Sequence, residues 1–451
     1  MGHAHDDHHC HSPEHDAGVS SRRTFLKRAI GAWLGMSLAS PMLGLFDQGT
    51  GGGLSGLWTP AASAAEGAAP KAVRSVVLLW MDGGPSQLDT FDPKPGAPTA
   101  GQFRAMKTAL PGALFTEHLE RTASIADRLC VVRSMSTKEG NHSRAKHYLR
   151  TGYAPTGPVA FPGMGSMVAS QLAAESSAKI PMNVSINAPG TGSGWLGVQY
   201  DPFHVQNAGR PVQNLALPKG VAEERFERRM ALLAEQQERF AQRLGSAKSV
   251  RNLQEVNEAA RAFMEAPEAD AFDISQEPDT VRDAYGRNKF GEGCLMARRL
   301  VQRGVKFVEV SLGGWDTHED NFTRVKENLG QLDPGLWSLV LDLETKGLLD
   351  TTLVVCMGEF GRTPRLNPRE GRDHFPRAWS AVLAGGGVRP GVVGATSDDG
   401  SEVVSRKTSV EDLYRTIYTR LAISPDQVWD TPSGRPIKTV NGGEVIREVL
   451  G

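Results

Sequence analysis

The chain of 451 residues has little cysteine, few aromatics and almost no net charge. Its four cysteines, Cys10, Cys130, Cys294 and Cys356, include no CxxC pair, so a disulfide framework is not expected. Cys130 in RLCVVRS and Cys356 in LVVCMGEF lie in strand-like runs and read as buried, reduced thiols. Lysine and arginine number 50 against 51 acidic residues, a net charge of -1 with histidine neutral. That balance provides no global field for nucleic acid or an anionic membrane surface. The glycine-rich PGTGSGWLG (189–197) lacks the lysine and serine of a P-loop and reads as a substrate-side loop. Trp195 and Tyr200 read first as aromatic packing, with stacking on a sugar as the alternative. Glycine (50) and proline (27) are plentiful, which implies many turns. At 39% hydrophobic the chain can bury a large core, as one α/β domain or one domain plus an insert.

A long apolar run is also missing. The weakly apolar stretch from Ala29 to Phe46 is broken by Gly31, Gly35 and Pro41, which makes a poor membrane span and a good signal peptide. Before it stands SSRRTFLKR (20–28), whose Arg22-Arg23 pair matches a twin-arginine export signal. Ala62-Ser63-Ala64 is the best cleavage site, so residues 1–65 read as leader and signal peptide and the mature chain as starting near 65. No cysteine follows in a lipid-attachment pattern. The expected partner during export is the twin-arginine translocase, the destination is the periplasm or the medium, and no stable membrane span remains in the mature form. This pathway carries folded proteins, often loaded with a cofactor. Six of the 12 histidines (His3, His5, His8, His9, His11 and His15) crowd the leader and are able to bind metal, but they would be lost on processing.

In the mature chain strand and helix alternate. RSVVLLWMD (74–82) and RLCVVRSMS (128–136) are apolar without polar alternation, as strands buried on both faces are; IPMNVSI (180–186) reads as a third strand and TTLVVCM (351–357) as another buried one. NHSRAKHYLRTG (141–152) reads as a helix stopping at Gly152. Phe322, Val325, Leu329, Leu332, Leu336, Leu339 and Leu343 mark another, which Pro334 is expected to kink or divide. The charged stretch 219–268 reads as long amphipathic helices within a helical insert of about residues 219–290. The expectation is an α/β fold with a largely parallel sheet over residues 66–451.

The polar clusters follow a rule. Asp82 ends the first strand; Asp316, Thr317 and His318 end VEVSLGGW; Glu359 and Arg362 follow VVCM; Asp373 and His374 stand in GRDHFP. Open parallel sheets bind ligands outside the carboxyl ends of their strands. Nitrogen and carboxylate oxygen gathered there suit a divalent metal, zinc first, with manganese or calcium as alternatives. Single acids at strand ends are commonly turn formers, and Asp89 and Asp92 read as braces of the loop after Asp82.

MDGGPSQLDTFDPKPG, GGWDTHEDNF, GEFGRTPRLN and GRDHFPRAWSAVLAGGGV resemble the sulfatase-like bacterial family called domain of unknown function 1501. That family is similar to the alkaline phosphatase and sulfatase superfamily, which implies a doubly wound α/β sheet with metal ligands at strand ends. Carried over, the resemblance makes Asp82, Asp316, His318, Glu359, Asp373 and His374 metal-ligand candidates. Phe360 stands where a second imidazole is usual. The superfamily's C/S-x-P-x-R signature for formylglycine is absent. Counting back from Thr151-Gly152 puts His142 at the usual nucleophile position, with Ser136, Thr137 and Ser143 nearby. His142 is thus a candidate ligand, general acid/base or phosphoryl acceptor. Arg144 and Arg362 are candidates to grip an anion. The activity implied is metal-dependent hydrolysis of a phosphate or sulfate ester on a small molecule or polysaccharide. Phosphomutase-like transfer and a non-catalytic envelope or binding protein are the alternatives.

Overall fold

The computed structural model describes residues 72–450, apart from 158, 214, 218, 245 and 246; the leader and export signal lie outside the described residues. Eight strands form the main sheet: β1 (Ser75–Met81), β2 (Leu129–Met135), β3 (Asn183–Ile186), β4 (Phe203–Val205), β5 (Phe307–Leu312), β6 (Thr352–Met357), β7 (Trp379–Gly385) and β8 (Gly391–Val393). Their order is β8-β2-β7-β6-β1-β5-β3-β4. All pairings are parallel except the two made by β7, which runs antiparallel to β6 and β2. The expected α/β class with a largely parallel sheet is therefore what the chain adopts.

Every residue of β1 is buried because β1 is central and covered on both faces. Val77, Leu79 and Met81 pack on one side with helices α5 (Lys289–Gln302) and α6 (Asn321–Thr345). Val76, Leu78 and Trp80 pack on the other with α1 (His142–Thr151), α2 (Met164–Leu172) and α7 (Val410–Arg420). The two-residue period of the strand thus divides the core into two layers. Between them in sequence, α3 (Glu223–Leu244) and α4 (Ala247–Met264) supply the long charged helices. No helix among the described residues is long and apolar enough to cross a membrane.

Pro334 neither divides nor ends its helix: α6 runs through it for 25 residues. The buried stripe Val325, Leu329, Leu332, Leu336, Leu339 and Leu343 continues across the proline and outweighs its local cost. The neighbouring buried Asp333 carboxylate accepts the backbone N–H groups of Arg121 (3.0 Å) and Thr122 (2.7 Å).

The loops at the carboxyl edge are tied by buried charge. Asp89 takes a bidentate contact from Arg372 (2.7 and 3.2 Å), and neither side chain is exposed to any extent. Arg372 also donates to the carbonyls of Thr99, Thr363 and Pro364. Asp92 accepts from Thr396 and pairs with Lys94 and Arg133. Both aspartates therefore brace the loop, as their sequence context suggests. Asp89→Ala would strand the Arg372 charge in the interior. It should destabilise the protein by about 3–5 kcal/mol, read as a lowered urea midpoint; an unchanged midpoint would show that the pair holds nothing together.

Candidate metal centre

Helix α1 begins beside the sheet edge. Asn141 caps it by accepting the Arg144 N–H, and Gly152 ends it in a left-handed conformation at φ 76°. His142, Lys146 and Arg150 recur at four-residue steps and share one face. Each meets a carboxylate from one of three adjacent strands. His142 Nδ1 lies 2.7 Å from Glu359 Oε1, just past β6. Lys146 Nζ lies 2.8 Å from Asp82 Oδ1, just past β1. Arg150 lies 2.5 Å from Glu309, within β5, and its guanidinium stacks 4.6 Å over Trp80. Glu309 is buried, which pushes its carboxyl upward against the pull of Arg150.

Four side chains converge at the N-terminus of α1. Asp316 Oδ2 lies 3.3 Å from His142 Nε2. Asp316 Oδ1 lies 3.2 Å from His318 Nε2 and 3.3 Å from His374 Nε2. The two latter imidazole nitrogens are 2.9 Å apart. One ligand atom each from His142, Asp316 and His374 falls within 4.8 Å of the others.

The far side of each ring is occupied. His142 Nδ1 faces Glu359, His318 Nδ1 lies 2.7 Å from Asp373, and His374 Nδ1 lies 2.8 Å from the Gly140 carbonyl. A carbonyl or carboxylate only accepts, so each Nδ1 carries the hydrogen and each Nε2 lone pair points inward. His142 Nε2 is buried without a hydrogen-bond partner. This is the arrangement of imidazoles oriented for a metal. Two nitrogens on one tetrahedral zinc sit roughly 3.3 Å apart, close to the 2.9 Å seen here. His142, Asp316 and His374 lie close enough together to share an ion, and His318 adjoins them through Asp316 and His374; nitrogen and carboxylate donors of this kind suit zinc.

Glu359 is fully buried, and both its oxygens accept the Gly83 N–H (3.0 and 3.2 Å). Gly83 has φ 119°, and a Cβ there would fall 2.4 Å from the Asp316 nitrogen, so only glycine fits. The hydrogen bond to Glu359 raises the pKa of His142, outweighing burial. Burial lowers that of His374. For Asp316, burial opposes ionisation, but Arg362 and the nearby histidines prevail and hold it at about 2. For Asp82, burial is likewise outweighed, by Lys146, Trp80 and Arg150, so its carboxyl stays low.

The candidates from sequence thus divide. Asp316, His318 and His374 come together, and His142 joins them. Glu359 and Asp373 stand behind the imidazoles rather than in the cluster, and Asp82 pairs with Lys146. The two arginines are not placed as anion grips. Arg144 is exposed and turned to Glu139 (2.7 and 2.9 Å). Arg362 is wholly buried, its guanidinium spent on the carbonyls of Gly83, Gly84 and Arg372 and on Asp316 at 2.5 Å. The contribution of Lys146, Arg150, Glu309 and the Gly140 carbonyl is not apparent from the motifs. For the two cations the signal present was their spacing of four and eight residues from His142.

No curated protein matches the sequence. The family model described as "Protein of unknown function (DUF1501)" matches residues 73–450. Among solved structures, the chain is similar to the lipoteichoic acid synthase LtaP from Listeria monocytogenes at 10% identity and TM-score 0.37, covering 82% of this chain and 74% of that one. It is similar to the PsFucS1 sulfatase from Pseudoalteromonas sp. at 14% identity and TM-score 0.37, covering 78% and 68%. It is similar to the alkaline phosphatase of the Antarctic bacterium TAB5 at 13% identity and TM-score 0.30, covering 70% and 92%.

The depressed Asp316 value has a stability consequence. A carboxyl lowered on folding stabilises above its ordinary value of 3.8, and that contribution is lost as pH falls toward about 2. Urea midpoints of the wild type should therefore fall more steeply over that window than those of Asp316→Asn. Parallel curves would show that Asp316 titrates normally.

Proposed function

Because the chain belongs to the DUF1501 family across residues 73–450, we propose that it is an exported metal-dependent hydrolase of phosphate or sulfate esters. One observation carries this reading: three imidazoles with engaged Nδ1 atoms turn their Nε2 atoms toward the Asp316 carboxylate. His142, His318, His374 and Asp316 would hold the ion, with zinc the best match to the donors. Such an ion, when bound, polarises the ester oxygen and lowers the pKa of water at the site.

The chain's own residues do the rest. Glu359, Asp373 and the Gly140 carbonyl fix the three rings. Arg362 fixes Asp316 and keeps it ionised. The cluster adjoins the first turn of α1, where the helix dipole favours an anion. Water adds to phosphorus or sulfur, the bond to the ester oxygen breaks, and the alcohol leaves carrying the proton that water gives up. This reading places His142 among the ligands and takes water as the attacking group. Residues 1–65 would export the folded protein to the periplasm or beyond by the twin-arginine route.

Metal analysis of the purified protein, followed by turnover of aryl phosphate and aryl sulfate, tests the reading. Asp373→Ala should weaken metal affinity about 10–100-fold, because His318 loses its orienting partner. A protein that takes up no divalent metal sinks the proposal, and one that holds metal but cleaves neither ester points to a binding role instead. Export is checked separately. With Arg22 and Arg23 both replaced by lysine, the uncleaved precursor should accumulate in the cytoplasm; processed protein outside would exclude this route.

A further inference from the structure

The Asp82 corner bears on how many ions the site would take. Asp82 ends β1 and Glu359 follows β6, so two carboxylates from adjacent strands stand beside the histidine cluster. Two carboxylates at the sheet edge call for a cation beside them. Lys146 occupies that place, with Nζ 2.8 Å from Asp82 Oδ1 and 3.9 Å from Glu359 Oε1. Asp82 Oδ1 also accepts the Trp80 indole N–H at 2.9 Å. Both Glu359 oxygens are turned to the Gly83 N–H, and one also meets His142.

Charge leads to the same conclusion. Asp82, Asp316, Glu359 and Asp373 bring four negative charges, while Lys146 and Arg362 bring two positive ones. Glu309 and Arg150 neutralise each other. Counting carboxylates, lysine and arginine alone, two negative charges remain, which is what one divalent ion balances. A second ion would leave the site net positive and force it against the ammonium.

We infer that the Lys146 ammonium stands in place of a second metal ion, so that each chain binds a single divalent cation at His142, Asp316, His318 and His374. This rests on the metal-dependent reading above and deepens it. Lys146 is on α1 one turn after the ligand His142, so its charge is delivered by the same helix and does not depend on metal supply.

The test counts ions. The full chain, with the six leader histidines replaced by serine so that they take up none, is equilibrated with zinc, desalted and analysed for bound metal. One equivalent is expected in this protein and in Lys146→Arg. Lys146→Met, which keeps the length and removes the charge, should bind a second equivalent on titration. Two equivalents with Lys146 intact would overturn the inference while leaving the hydrolase reading standing. A Lys146→Met protein that folds, by its circular dichroism, and still takes only one would overturn it too. If that variant does not fold, the count with Lys146 intact decides. No bound zinc at all would remove the metal-dependent reading and this inference with it.

Discussion

Acidic groups gathered at the buried edge of a sheet must be matched by positive charge, and the rest of the site follows from how this is done. Asp82, Glu309 and Glu359 lie on or just after three adjacent strands, where the low-dielectric core begins. Charge left unpaired there carries a desolvation cost. Helix α1 meets them with His142, Lys146 and Arg150 at steps of four. One helix face thereby crosses three strand ends and fixes its own angle and register on the sheet. The helix cannot slide without breaking all three contacts, so His142 is held in place for reasons that begin two turns away at Arg150.

A second set of charges fixes the loops. Arg362 and Arg372 are both fully buried, and their guanidinium groups bond mainly to backbone carbonyls of neighbouring loops. Arg362 joins the Gly83-Gly84 turn to Asp316, and Arg372 joins Asp89 to the segment that continues into Asp373 and His374. A guanidinium suits this task because its five donors lie in one rigid plane and its charge does not titrate away. The segments that carry the cluster's residues are thus tied to one another and not only to the sheet. Gly83 lets two of those segments pass at a distance that no Cβ would allow.

Much of this was legible in the sequence, because residue type and position relative to a strand end are local properties. The unbroken apolar run before Asp82 announces a buried central strand, and the Asp, His and Glu groups at later strand ends announce one crowded edge. What a strand end does not reveal is which atom its side chain meets. Glu359 looks like a ligand because it follows a strand, but it lies under the site, where the Gly83 N–H and the His142 ring claim its oxygens. Arg362 looks like an anion grip because it sits in a polar loop, yet the interior needs its charge for Asp316. Pro334 looks like a break because its cost is local, while the leucine stripe that overrides it extends along the whole helix. In each case the deciding partner lies far away in sequence.

The inward turn of the imidazoles is itself an electrostatic problem. With hydrogens on their Nδ1 atoms, His318 and His374 face each other through two Nε2 lone pairs at 2.9 Å. Two lone pairs at hydrogen-bond distance repel unless a proton or a cation lies between them. Burial, with the neighbouring Arg362, lowers the pKa of His374. A divalent ion held there, as proposed, would remove the repulsion at both rings and would offset the carboxylates that Lys146 and Arg362 leave unbalanced. In that reading, binding of the ion would be coupled to the stability of the loops that carry these rings.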